Sequence, residues 1–174
     1  TRTRYRYVTV FTDHFSDLSY VHLQKSITSV ETLEAKDAFE AYAKSVGVSI
    51  QHYHADNGRF ADNLFLKSIK DKGQTISFCG VNAHFQNVIA EKRIRDLQEA
   101  ARSQLLHAKH RWPSAVDTCL WPYAIRYAND VHNSTPRLGC SLTPIELFSS
   151  TTVCPKLKHF HSFACPVYVL KNKL

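Results

Sequence analysis

Two carboxylates in this chain stand where a fold could bring them together. Asp56 ends an alternating run and has Asn57-Gly58 behind it, while Glu91 opens a long amphipathic helical pattern 35 positions later. A hard divalent ion needs oxygen donors that converge from separate elements, and a strand end facing a helix start is one way to supply them. Taken singly, each residue has a plainer reading: Asp56 as a turn former and Glu91 as a complement to the helix dipole. Lys92, Arg93 and Arg95 follow Glu91, and Arg95 lies at i+4 on the same helix face. A phosphodiester approaching a carboxylate-held ion needs such flanking cations. An ordinary i,i+4 ion pair between Glu91 and Arg95 explains the same spacing.

Other residues of ligand type are less well spaced. Cys154, His159, His161 and Cys165 form a split pattern. The usual zinc arrangement has a tight Cys pair and a His pair three to five apart. His52 and His54 share one face of a strand, as a surface or packed pair as readily as a metal site. No nucleophile elbow, phosphate-binding Gly-rich loop or dinucleotide fingerprint occurs.

The elements that must position these groups are legible from periodicity. Residues 5–12 and 18–23 alternate around a polar break and predict a β-hairpin. Thr28-Ser-Val-Glu31 has the capping-box pattern and opens a helix that closes at Gly47. Residues 48–55 predict a strand ending at Asp56-Asn57-Gly58, and residues 63–72 a helix closing at Gly73. A short strand at 75–79, a polar loop at 80–87 and a long helix at 90–110 follow. Residues 121–132 read as a further helix, Thr143-Pro144 as the start of a helical turn, and 163–170 as a last strand. The order predicts one mixed α/β domain followed from about residue 149 by a basic segment.

Length and composition bound the function classes. The 174 residues, 44% hydrophobic and 11% aromatic with five Gly and six Pro, suit one globular domain. They exclude collagen, low-complexity disorder and disulfide miniproteins. No apolar run approaches the ~20 residues that span a bilayer, so no membrane partner is expected, and no targeting signal is readable. Five dispersed cysteines fit free thiols in a reducing, intracellular compartment. The net charge of +7 is uneven: residues 1–12 carry three Arg and residues 147–174 four Lys, with no acid in either. Residues 13–62 hold eight acids against four bases. That distribution fits a polyanionic partner as well as a merely solvated basic surface. Composition and spacing leave the function open.

A set of motifs in order narrows it. His54-Ala-Asp56-Asn-Gly58, then Gly73, then Gln86-Asn-Val-Ile-Ala-Glu91-Lys-Arg-Ile-Arg95-Asp-Leu97 with Glu99-Ala-Ala-Arg102, resembles the integrase catalytic core of copia-type LTR retrotransposons. The likeness continues through Leu120-Trp121, Ala128-Asn129, Asn133, Ser134-Thr-Pro136 and Leu142-Thr-Pro-Ile-Glu-Leu-Phe148. It reaches Pro155-Lys-Leu-Lys-His159, Phe163-Ala-Cys165 and Tyr168, similar to the segment after the core. The resemblance implies an α/β, ribonuclease-H-like fold: a mixed five-stranded β-sheet flanked by helices, here lacking the family's first strand. It implies residues 1–148 as the catalytic core, incomplete at its N-terminus, and 149–174 as a basic post-core segment. It also implies DNA integration by metal-dependent polynucleotidyl transfer (3′-processing and strand transfer), with Asp56 and Glu91 holding Mg²⁺ or Mn²⁺. Lys92 and Arg95 would then contact DNA. The implied partners are retroelement ends, target DNA and further copies of the chain, and the implied location is the nucleus.

Three departures accompany the resemblance. Residues 1–12 contain no carboxylate to serve as the family's first Asp, and Asp13, on the neighbouring strand, is the only nearby substitute. The family's Asn-Gly before the Glu reads Asn87-Val88 here, and a β-branched Val resists the positive φ that Gly permits. No His-His-Cys-Cys zinc module precedes the core. The chain is therefore expected to be catalytically incomplete as it stands. A non-catalytic nucleic-acid-binding or interaction remnant, and a hybrid-duplex ribonuclease on the same fold, are the competing readings.

Overall fold

The computed structural model describes residues 5–80, 87–151 and 157–168. The hairpin forms as the alternation predicts. β1 (Tyr7–Thr12) pairs antiparallel with β2 (Ser19–Gln24), Val8 opposite Leu23 and Phe11 opposite Tyr20. Its turn is fastened by Asp13, whose Oδ2 accepts from the Ser16 amide at 2.7 Å and the Ser16 hydroxyl at 2.6 Å. α1 (Ser29–Ser45) begins at Thr28, whose hydroxyl caps the Glu31 amide at 3.4 Å. Glu31 reaches back past the cap to the amides of Lys25 (2.8 Å) and Ser26 (3.1 Å), so orphan N–H groups outside the helix are satisfied as well. Gly47 ends the helix at φ +82°, a left-handed conformation that any Cβ would strain.

β3 (His52–Ala55), α2 (Asn63–Asp71) and β4 (Thr75–Phe78) form a parallel β-α-β unit, His52 in register with Thr75 and Ala55 with Phe78. β3 is shorter than the alternation at 48–55 predicts, because its length is set by a partner strand of four residues. Val48 and Ile50 still pack against the core without strand pairing. The chain continues as α3 (Val88–Arg111), α4 (Trp121–Asn133) and α5 (Pro144–Ser149). α5 carries a full capping box between Thr143 and Glu146. Val88 is the first residue of α3, with ordinary negative φ, so the position where the family carries Gly makes no demand for a left-handed residue here.

The hairpin is a partition with a core on each face. Phe11 and Tyr20 turn toward α1, joining Phe39, Tyr53, Phe65 and Phe148. Val8, Val10, Val21 and Leu23 turn the other way, onto Leu97 and Ala101 of α3 and Ala124, Ile125 and Ala128 of α4. That division follows from the two-residue period of a strand. Each fully buried aliphatic or aromatic side chain contributes roughly 1.5–3 kcal/mol. The pair of cores therefore orients α1 and α3 on opposite sides of one sheet.

A buried ionic cluster holds β3 against α1. Lys36 is fully buried and donates to Glu40 at 2.7 Å and Ser68 at 3.0 Å, its ammonium 5.6 Å from the Tyr53 ring centroid. Glu40 accepts in addition from Tyr53 (2.8 Å), Gln74 (2.8 Å) and Lys72 (2.6 Å). Burial alone would raise the Glu40 carboxyl, but those four donors bring it down to about 2. Burial, and then the hydrogen bond to Glu40, push the Tyr53 phenol up.

The five-stranded sheet implied by the family resemblance does not form as one sheet among the described residues. β1–β2 and β3–β4 are separate pairs, and the edges of β1 and β3 flank a cleft. Among the described residues, β1 and β3 each keep one edge without a partner strand. The expected strand at 163–170 is likewise not formed in its described part, residues 163–168. Ala164 adopts φ +58°, Pro166 has no N–H to offer a ladder, and Val167 and Tyr168 are 82% and 94% exposed. Phe160 and Phe163 instead bracket the Tyr127 ring at 5.9 and 5.8 Å, while its hydroxyl donates to the His161 carbonyl, which docks this segment on α4.

Candidate nucleic-acid and catalytic site

The cleft has a volume of about 610 Å³. One wall is β1 with Asp13 and His14; the opposite wall is β3 with Asp56, Arg59 and Phe60; Asn87, Ile89, Ala90 and Ile94 of the α3 start close one end. Tyr53 and Ala55 are buried toward α1 and α2, so the period of two sends His52, His54 and Asp56 to the opposite face of β3. Asp56 is thereby exposed at the strand end, its carboxyl folded over Gly58. Glu91 lies in the first turn of α3, the same turn that lines the cleft, and is exposed beside exposed Lys92 and Arg95.

The rotation of α3 is fixed by Arg93. Its guanidinium is buried, pairing with Asp17 at 2.7 Å and meeting His132 Nδ1 at 3.0 Å. Arginine can only donate, so Nδ1 accepts and His132 is the neutral tautomer whose Nε2–H donates to the Asp17 carbonyl at 2.9 Å. Burial holds the His132 imidazole below its usual range, and the neighbouring guanidinium acts in the same direction. With Arg93 turned inward, Lys92 and Arg95 point outward. Among the described residues no ion pair joins Glu91 to Arg95. The i,i+4 salt-bridge reading of that spacing is not realised.

Asp13 lines the cleft, but its Oδ2 is taken by Ser16 in the hairpin turn. Among the described residues, no three of His, Cys, Asp and Glu are grouped to hold a metal ion. The donor chemistry of Asp56 and Glu91 therefore suits a hard divalent ion, while the number of donors falls short of such a centre. Of the Cys154, His159, His161 and Cys165 pattern, Cys154 lies outside the described residues, and His159 and His161 are exposed. His52 and His54 do come together, joined by Ser77: His52 Nε2 and His54 Nδ1 lie 2.9 and 2.8 Å from its hydroxyl, with Thr75 2.7 Å from His52 Nδ1 and Cys79 3.5 Å from His54 Nε2.

Sequence reasoning passed over Arg59 and His14 as cleft residues. The available signal for Arg59 was its place next to Gly58, where a cation must share the turn with Asp56. Nothing in the local pattern marks His14.

No protein-family model matches the chain, and no curated protein matches it. Solved structures do. The HTLV-2 integrase catalytic core domain, solved in complex with magnesium, superimposes with a TM-score of 0.61 at 21% identity, covering 84% of this chain and 90% of that one. The fold is that of a retroviral integrase catalytic core. The BIV integrase catalytic core domain gives a TM-score of 0.60 at 18% identity over 82% of this chain and 85% of that one. A chain of the simian T-cell lymphotropic virus intasome, solved with the PP2A regulatory subunit B56 gamma, gives 0.66 at 19% identity. The match covers 94% of this chain and only 54% of the intasome chain. The integrase-core fold makes sense of the mixed α/β layers, of Asp56 at a strand end and of the α3 start beside it.

Proposed function

We propose that this chain is an integrase-type core that binds DNA and is built for metal-dependent polynucleotidyl transfer, but is catalytically incomplete on its own residues. The observation that carries the reading is the shared cleft: Asp56 at the end of β3 lines it together with Ile89 and Ala90 in the first turn of α3, and Glu91 of that turn, with Lys92 and Arg95 just beyond, is exposed to solvent. In this reading Asp56 and Glu91 are the two carboxylates for Mg²⁺ or Mn²⁺, and Lys92 and Arg95 offset phosphate charge. Copia-type origin is supported by the motif order. Action on retroelement ends and target DNA in the nucleus, and assembly of several copies, are part of the same proposal. The HTLV-2 core is described in trimeric and dimeric forms. No helix among the described residues is long and apolar enough to cross a membrane.

The unmet donor count and the engagement of Asp13 by Ser16 favour a second reading, a DNA-binding remnant that no longer catalyses. A strand-transfer assay with Mn²⁺ on three versions separates the two: the chain itself, Asp13→Asn, and a version extended upstream by a strand bearing an Asp. Transfer by the extended version alone supports the incomplete-core reading. DNA binding without transfer by any version supports the remnant. Robust transfer by the chain itself that is lost in Asp13→Asn would make Asp13 a metal ligand and overturn the proposal of incompleteness.

A further inference from the structure

Three residues from three elements close a ring behind the cleft. Asp17 lies in the hairpin turn, Arg93 two residues past Glu91 on α3, and His132 in the last turn of α4. Arg93 donates to the Asp17 carboxylate at 2.7 Å and to His132 Nδ1 at 3.0 Å, and His132 Nε2 returns to the Asp17 carbonyl at 2.9 Å. The ring ties two walls of the cleft together. Asp13 and His14 of the same hairpin turn line the β1 wall, and the Asp17 amide donates to the Asp13 carbonyl at 2.9 Å. Arg93 stands beside Ile94, which with Ile89 and Ala90 closes the α3 end. Asp17 holds φ +64°, a left-handed conformation that a non-glycine residue keeps where its surroundings hold it.

The ring closes in one protonation state only. A guanidinium offers no acceptor, so its contact with His132 Nδ1 requires a lone pair there. A proton on Nδ1 would set N–H against N–H across 3.0 Å and place two cations in contact. The charged groups facing His132 are Asp17 from the hairpin turn and Arg93 and Asp96 from α3. The second Asp17 carboxylate oxygen is 3.8 Å from His132 Nε2, so an imidazolium has an acceptor to turn to as Arg93 loses one. Arg137 holds the same turn separately, through the Phe15 carbonyl at 3.3 Å, so the hairpin keeps an anchor when the ring opens. Burial holds the imidazole below its ordinary 6.5, so the ring is closed at neutral pH.

We propose that Asp17, Arg93 and His132 form a proton-operated positioning latch. While His132 is neutral, Arg93 locks the first turns of α3 to the hairpin. Protonation of His132 releases Arg93 and, with it, the fixed presentation of Glu91, Lys92 and Arg95 beside the cleft. None of the three lines the cleft, so they act on the site only through the helix they hold. The consequence for DNA rests on the proposed function, whereas the latch itself does not. Its sign is distinctive. Exposed histidines such as His107 and His110 gain positive charge on acidification, which favours phosphate binding, while opening of the latch disfavours it.

The test follows the full chain by NMR from pH 8 to pH 5, reading the His132 imidazole, the Arg93 guanidinium and amide protection at residues 91–95. His132→Gln and His132→Lys are measured alongside. In the wild-type chain the Arg93 signals should change with the same midpoint as His132. Protection at 91–95 should fall about tenfold, the factor that matches loss of one hydrogen bond to a charged group. His132→Gln, which offers an acceptor but takes up no proton, should keep its protection across the range. His132→Lys should show low protection throughout while α1 amides keep their wild-type shifts; the Gln variant decides the matter if the Lys variant does not fold. Duplex DNA affinity at fixed salt should fall on acidification in the wild type and not in His132→Gln. Arg93 signals and α3 protection that stay constant while His132 titrates, or that change equally in His132→Gln, would refute the latch. Absence of DNA binding at every pH, with the NMR changes intact, would leave the latch standing and count against the proposed function alone.

Discussion

Asn133 and Ser19 exchange two hydrogen bonds: the Ser19 amide donates to Asn133 Oδ1 at 3.0 Å, and Asn133 Nδ2 donates to the Ser19 carbonyl at 2.7 Å. A side-chain carboxamide here takes the place of a neighbouring peptide group at the start of β2. One turn earlier on α4, Asn129 accepts from the Ser19 hydroxyl at 2.7 Å, so the pair of asparagines registers α4 against the hairpin. Asn133→Ala leaves both backbone groups of a buried residue unpaired. The expected loss is about 2–4 kcal/mol in urea unfolding, against a much smaller loss for the exposed Thr135→Ala.

Stability should decline as pH falls through the range of an ordinary histidine. His132 is neutral in the fold, and burial holds its imidazole below the ordinary value of 6.5. A group whose folded-state pKa is depressed contributes stability above its unfolded value and loses it on acidification. Thermal unfolding between pH 8 and pH 5 should show a falling midpoint in the wild-type chain. The slope over that range should be reduced in His132→Gln, whose amide cannot take up a proton.

Glu40 acts over a more acid range. Its carboxylate, held down to about 2 by donors from Lys36, Lys72, Gln74 and Tyr53, stabilises the fold above the ordinary value of 4.5. That contribution is lost as pH falls from there toward 2. Glu40→Gln should unfold more easily at neutral pH by about 3–5 kcal/mol, because Lys36 is left buried without its counter-charge. The difference between the two proteins should shrink progressively on acidification below pH 4.5.

DNA affinity should fall steeply with salt, and Lys92 and Arg95 should account for part of the slope. Each phosphate contact removed lowers the slope of log K against log salt by about 0.9. Lys92→Ala and Arg95→Ala should each weaken binding to unrelated duplexes by similar factors. Affinity unchanged between low and physiological salt would rule out the proposed DNA surface.

Local signals made most elements legible. The Thr28 hydroxyl and Gly47 mark the ends of α1 because capping and positive φ are properties of single residues. Asp56 was legible as a strand end and Glu91 as a helix start for the same reason. What the local pattern does not contain is partnership. Residues 48–50 alternate yet have no strand partner because β4 is short, and residues 163–168 form no strand. The gap between β1 and β3 was anticipated only through the family resemblance, since nothing within either strand reveals which edge goes unused. The Lys36 cluster and the Asn133 clasp were invisible, because each joins residues more than 30 positions apart.

Arg93 makes α3 behave like a keyed shaft. With its guanidinium seated against Asp17 and His132, the helix has one permitted azimuth, and Lys92 and Arg95 face solvent only because of it. Successive helical residues are set 100° apart, following from 3.6 residues per turn. A single residue inserted between Glu91 and Lys92 would swing Glu91 a quarter-turn out of phase while leaving both cations where they are. The geometry between acid and base on this surface is thus a matter of angular phasing, fixed by a buried residue that is not part of the cleft lining.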